Sequence, residues 1–348
     1  MDRFLSMGYI VLLLLIVGYI LIWTLLYWNR NPSSIVTTLS PSTVTHSYLG
    51  RRGDMGNQIF QLACVIATAK RSKSNVAFPT SISMLPIIDL FDLTMFEWKD
   101  IVPDAVFHEY DNYEPIVIPA DGRNYDIRGY RQAYTYFEDY ADDIRNIFKP
   151  KEELLNSVSA IVPPRYIAVH IRRGDTIKFI HKIPLLREFR RCQLEYYKEG
   201  VRKIREIYPE IPVLVCTDSP KLVTPMLSDI DPDAKLAPIV KGISDKLSDF
   251  CTLYLASAVI MSNSTFSFWA AYLRNNRPVI CPSPWWDPIG FIGTAMGLDG
   301  PYLHYPEWYL MNPDTGELVR EPNSEIGNKP DCNSDTLNLY RLTRGLLL

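Results

Sequence analysis

The sequence predicts an α/β protein of two lobes, carried behind an apolar N-terminal helix and a polar stem. Three observations predict this class. Short β-branched runs end in polar residues and alternate with helical patterns, as in parallel sheets with crossover helices. Proline breaks at Pro150 and at Pro163-Pro164 divide those elements into two sets. The first 28 residues contain an uncharged stretch of bilayer length.

With 348 residues, 47% apolar and 22% charged, the chain can bury a sizeable core, and disorder is not its expected state. Thirty-six Lys and Arg against 39 Asp and Glu leave a net charge of −3, so no broad basic field exists to hold nucleic acid. An anionic ligand must be met by a local cluster. Arg172-Arg173 is the best placed, because guanidinium forks match phosphate geometry.

After a short tail (1–8), residues 9–28 are apolar throughout, with aromatic residues near both ends. A span needs about 20 such residues, whereas a signal peptide has an apolar core of about 7–15, so a membrane anchor is expected. Arg3 lies on one side and Arg30, Arg51 and Arg52 on the other, so charge does not set the orientation. Residues 29–47 are rich in Ser, Thr and Pro and read as a stem. Six cysteines, Cys64, Cys192, Cys216, Cys251, Cys281 and Cys332, show no Cys-x-x-Cys spacing, which disfavours zinc. They leave open either up to three disulfides or buried thiols.

The first lobe is expected over 48–155. Gly53-x-x-Gly56-Asn57-Gln58 opens a helix whose apolar stripe, Ile59, Leu62, Ala63 and Ile66, runs to about Lys70. Taken alone this is a helix-entry turn; it lacks the Lys-Ser/Thr of a nucleoside-triphosphate loop. A strand follows at 125–130 and a helical pattern at 134–148. The second lobe is expected over 156–330, with a tail at 331–348. Its first strand, 165–171, delivers His170, Arg172, Arg173 and Asp175 to a strand carboxyl end, where open α/β sheets bind ligands. A helix at 193–207 leads to a strand at 211–219 that ends in Thr217, Asp218 and Ser219. A helix at 246–255, a strand at 258–262, a helix opened by Asn263-Ser264-Thr265 and a strand at 277–281 complete the pattern. From Pro301 onward the chain reads as turns.

Four ordered motifs now carry a resemblance. His170-Ile171-Arg172-Arg173-Gly174-Asp175, Gly53 to Gln61, Thr217-Asp218-Ser219 and Asn263 to Ala270 together resemble the α-1,2-fucosyltransferases of glycosyltransferase family 11, over about residues 48–285. Asp54-Met55 and Phe268 depart from the family pattern and mark a divergent member. The resemblance implies two Rossmann-like lobes of the GT-B type, with GDP-fucose held mainly by the second. It also implies inversion without a required metal or other cofactor, a galactose-containing glycan acceptor, and a type II Golgi membrane protein with a lumenal catalytic domain.

On that reading Arg172 and Arg173 hold the departing diphosphate, and Ser264 and Thr265 add amide and hydroxyl donors at a helix start. Asp218, Ser219 and Asn263 bind the donor, with Asp218 and Asn263 reading guanine or ribose; Gly56, Asn57 and Gln58 close over it. His170, Asp175 and Asp54 are the chemical candidates for a base. Plainer roles stand beside these: Asp175 can orient an arginine, His170 can brace the strand end, and Phe268 and Trp269 read as core. Asn263 opens the chain's one N-glycosylation sequon. His46, His108, His181 and His304 show no metal-ligand spacing. Competing functions are a fucosyltransferase of another linkage or protein acceptor, and an inactive membrane-anchored glycan- or nucleotide-binding protein.

Overall fold

The structure, a computed structural model, describes residues 40–51, 53–108, 113–174, 192–286 and 301–324. Among them no helix is long and apolar enough to cross a membrane. The expected anchor, the stem up to residue 39, Asp175, His181 and the tail at 331–348 lie outside the described residues.

The first lobe is a parallel sheet of five short strands: β1 (Thr43–Thr45), β2 (Asn75–Phe78), β3 (Glu97–Trp98), β4 (Ala105–Phe107) and β5 (Asn124–Ile127). Their order is β3-β2-β1-β5-β4. β1 is the central strand, and Val44 and Thr45 are buried, so the folded unit begins inside the stretch expected as stem. Three residues are too few for a strand period to stand out from a Ser/Thr-rich background.

Helix α1 (Met55–Ser72) follows β1 and is buried on nearly every face from Met55 to Ala69. The expected one-sided stripe is absent because α1 lies between the first sheet and the second lobe. Phe60 packs 4.8 Å from both Phe268 and Trp269. The expected helix at 134–148 is instead two 3-10 turns, Tyr134–Tyr136 and Glu138–Tyr140, followed by α2 (Ala141–Ile147). Phe137 interrupts the helix with φ −136° and ψ 7° while its ring stacks on Trp269 at 5.2 Å. Core packing there outweighs helical propensity.

Helix α3 (Glu152–Ser159) spans the expected lobe boundary at 155/156 and packs on α5 (Asp245–Leu255) of the second lobe. The second sheet has seven strands in the order β12-β11-β10-β9-β6-β7-β8. They are β6 (Ile167–Ile171), β7 (Val213–Thr217), β8 (Lys235–Leu236), β9 (Ala258–Ile260), β10 (Val279–Pro282), β11 (Tyr309–Met311) and β12 (Leu318–Arg320). All pairings are parallel except β11 with β12. The region expected as turns beyond Pro301 therefore supplies two strands. Helices α4 (Leu194–Arg205) and α6 (Thr265–Tyr272) complete the lobe.

From β6 the chain winds to β7 and β8 on one side, then to β9, β10 and β11 on the other. The switch point lies between the carboxyl ends of β6 and β9. Ligands of doubly wound sheets bind at such points.

Candidate active site

β6 is buried along its length, and His170, its fourth residue, is 4% exposed. Its Nδ1 lies 2.9 Å from the Ser262 hydroxyl and its ring packs against Phe266. Burial, followed by the charge of Arg172, pushes its imidazole down to about 3. It is therefore neutral and enclosed at ordinary pH.

The two arginines diverge. Arg172 Nη1 lies 3.1 Å from Asp218 Oδ2, and Nη2 lies 3.9 Å from Asp54 Oδ2 on the first lobe. Arg173 turns away: Nη2 donates to the Cys192 carbonyl at 3.1 Å and the guanidinium sits 5.9 Å from the Tyr197 ring centre. The structure thus places Arg172 alone of the pair toward the cleft.

Asp218 organises this loop. Its carboxylate accepts from the amides of Arg173 (2.8 Å) and Gly174 (2.9 Å) and pairs with Arg172. Burial alone would raise its pKa, but those amides and the guanidinium hold it below the usual carboxylate range. The Asp218 oxygens, expected to read guanine or ribose, grip the arginine loop in this structure. Ser219, beside it, donates its hydroxyl to Asp218 Oδ1 at 3.2 Å. A Cβ on Gly174 would lie 2.5 Å from Asp218 Oδ2, so this grip requires glycine.

Asn263 is likewise spent inside the lobe. Its Nδ2 donates to the Trp285 carbonyl at 2.7 Å, and its Oδ1 accepts from the Cys192 thiol at 2.9 Å. Burial pushes that thiol up to about 12, which keeps it a donor. Both side-chain atoms of Asn263, expected to read the nucleotide, bond within the lobe, and the sequon nitrogen is engaged. Cys192, Cys216, Cys251 and Cys281 are buried free thiols.

Ser264 is the N-cap of α6 in extended conformation and makes no side-chain capping bond. Thr265 donates its hydroxyl to Asn57 Oδ1 at 3.0 Å, and Gln132 Nε2 donates to the same oxygen at 2.6 Å. Asn57 is thereby the hub between lobes. A Cβ on Gly56 would lie 2.5 Å from the Thr265 carbonyl carbon and 2.6 Å from the Phe266 nitrogen. The close approach that Gly56 permits in this structure is to the backbone of α6. Gln58 is buried and donates to the Gly53 carbonyl at 3.1 Å.

The starts of α1 and α6 meet here beside Arg172. Two helix N-termini with their positive dipole ends, plus one guanidinium, make a site for a multiply charged anion such as a diphosphate. Among the described residues, no three His, Cys, Asp or Glu side chains converge as a metal site.

Asp249 went unnoticed in the sequence. It lies on α5 against the end of β7, near the Thr217 amide, and burial pushes its carboxyl up to about 7. Its helix is legible from periodicity, but nothing local distinguishes this acid from Asp245 until α5 is laid on the sheet.

Fold and site define a two-lobed α/β protein that offers a cationic cradle at a strand-end switch point. Residues 45–287 match the family model "Glycosyl transferase family 11", and the chain belongs to that family. Its relatives are distant. An alpha-1,2-colitosyltransferase of Escherichia coli is 26% identical over 164 residues, 46% of this chain and 55% of the relative. The chain thus spans little more than half of that protein. A galactoside alpha-(1,2)-fucosyltransferase 2 of Sus scrofa is 21% identical over 326 residues, 84% of this chain and 88% of the relative. The solved fucosyltransferase NodZ from Bradyrhizobium is 15% identical with a TM-score of 0.42, over 66% of this chain and 92% of that one.

Proposed function

We propose that this protein transfers L-fucose from GDP-fucose to a galactoside hydroxyl, in α-1,2 linkage with inversion and without a metal. The observation that carries the reading is the convergence of Arg172, aimed by Asp218, with the starts of α1 and α6. As the donor's glycosidic bond breaks, charge builds on the diphosphate, and preorganised donors stabilise that charge more than the ground state. Arg172 is the principal cation; Arg173 supports it through its backbone and braces the loop. The amides following Ser264 face the same oxygens.

In its ionised form, above about pH 7, Asp249 suits guanine, whose adjacent ring and amino N–H groups match a carboxylate. For the acceptor proton, His170 is enclosed and weakly basic, whereas Asp54 is exposed on the first lobe opposite Arg172. We assign proton removal to Asp54 and strand-end bracing to His170. The names of the distant relatives, fucosyl- and colitosyltransferases of 1,2 linkage, agree with this reading. Residues 9–28 anchor the chain in the Golgi membrane with the lobes in the lumen.

The test is to incubate the full chain in detergent with GDP-fucose, defined galactosides and chelator, and to determine the product linkage. A colitosyl nucleotide run in parallel tests the other donor. Arg172→Ala lowers turnover by about 10²–10³, the scale for removing one donor to a developing oxyanion. Nucleotide binding without transfer to any acceptor would point to the inactive class, and full activity of the variant would refute the role of Arg172.

A further inference from the structure

Beside the groups suited to a diphosphate, the cradle carries an anion of the chain's own. Asp54 is the N-cap of α1, with extended backbone at φ −78° and ψ −177°. An N-cap carboxylate ordinarily accepts from an amide of the first turn. Here the Asp54 carbonyl takes those amides, from Asn57 at 2.9 Å and from Gln58 at 3.1 Å, and the side chain makes no capping bond. The carboxylate, 77% exposed, lies instead 3.9 Å from Arg172 Nη2, across the cleft on the other lobe.

Arg172 therefore faces two carboxylates of unequal standing. Asp218 lies 3.1 Å from Nη1, is 23% exposed, and is fixed from behind by the Arg173 and Gly174 amides. Asp54 stands farther off and in solvent. One guanidinium facing two carboxylates is neutralised before any ligand arrives, so an incoming anion has to take the place of one of them. The exposed and more distant partner is the one that yields. A contact between solvent-exposed charges contributes little, whereas a diphosphate brings more charge and a two-point match to the same fork.

We propose that Asp54 is a built-in rival of the donor's diphosphate for Arg172, holding the guanidinium between turnovers and giving way when the donor enters. The inference rests on the glycosyl-transfer reading and adds how that site is gated. The carboxylate assigned to proton removal is tied to Arg172 until the diphosphate displaces it. Base and leaving-group cation thus separate only with a donor in place, and the donor binds before the acceptor hydroxyl is activated. The exchange is reciprocal: whatever factor the Arg172–Asp54 pair contributes to holding the cleft weakens donor binding by the same factor.

The test is a double-mutant cycle on GDP affinity, read by calorimetry on the full chain in detergent with chelator. Asn and Ser serve as well as Asp at an N-cap, so Asp54→Asn and Asp54→Ser keep the start of α1 while removing the charge. Each tightens GDP binding about two- to fivefold, the scale of an exposed ion pair. In an Arg172→Ala background, where GDP binds more weakly, the same changes bring no gain. An equal gain in both backgrounds would make Asp54 a general repulsive charge and overturn the proposal, as would affinity unchanged or weakened in both variants. A gain that depends on Arg172, in a chain that transfers no sugar to any acceptor, would leave the exchange standing and remove the transfer reading instead.

Discussion

At the scale of single residues, the site is shaped by acids that do unlike work. Asp218 keeps some contact with solvent and accepts from two amides and a guanidinium, so it stays ionised and aims Arg172. Asp249, against the end of β7, has the Cys216 thiol and the Thr217 amide to lower it, but burial outweighs them and pushes it up to about 7. The folded chain keeps the Asp249 proton to about that pH, whereas the unfolded chain releases it near 3.8. Between those values the native state binds more protons, so stability falls as pH rises from about 4 to about 7. Asp249→Asn removes this loss. Its melting temperature should exceed that of wild type at about pH 8 and match it near pH 4. An equal difference at both pH values in thermal unfolding would show that the carboxyl is not held protonated.

At the scale of elements, the contact between α1 and α6 sets the geometry of the cradle. Gly56 brings one helix start against the other, and behind it Phe60, Phe137, Phe268 and Trp269 pack as one aromatic cluster. A methyl group at Gly56 meets the peptide between Thr265 and Phe266, which no side-chain rotation relieves. Gly56→Ala is expected to cost about 1–3 kcal/mol, the usual penalty of overpacking. It should also raise the donor KM by separating the two helix starts. A melting temperature and donor KM both equal to wild type would mean that the lobes do not meet at this point in solution.

At the scale of the whole molecule, the lobes are held at a second place, at the opposite end of α6 from the cradle. Glu138 of the first lobe accepts from Tyr305 at 2.9 Å and from Tyr272 at 3.2 Å. Arg145 donates to the Tyr305 hydroxyl and to the Tyr272 carbonyl. Burial raises the pKa of Glu138, while the two tyrosine hydroxyls act to lower it. Glu138→Ala leaves two tyrosine hydroxyls without this acceptor, a loss of about 1–3 kcal/mol. Hydrogen exchange should quicken in both 134–147 and 265–272, with weaker GDP binding. Quickening confined to 134–147 would make the cluster a local prop and not a tie between lobes.

Much of the second lobe was legible because its strands carry their own signal. The runs at 165–171, 211–219 and 258–262 are apolar, β-branched and followed at once by polar motifs, and each is a strand. β1, β3 and β12 are two or three residues long and leave no period to read. Partners across the cleft were beyond reach for a related reason. Asn57 with Thr265 and Arg172 with Asp54 join residues more than one hundred positions apart, and no local pattern encodes such pairings. By itself the sequence determined the α/β class and the four motifs, since these depend on residue type and short spacing. The tertiary structure alone decided that Asp218 grips the arginine loop, that Asn263 bonds within its own lobe, that Arg173 donates to the Cys192 carbonyl and that Gly56 serves the lobe contact. Those outcomes follow from which buried polar groups find partners once the sheets and helices are packed together.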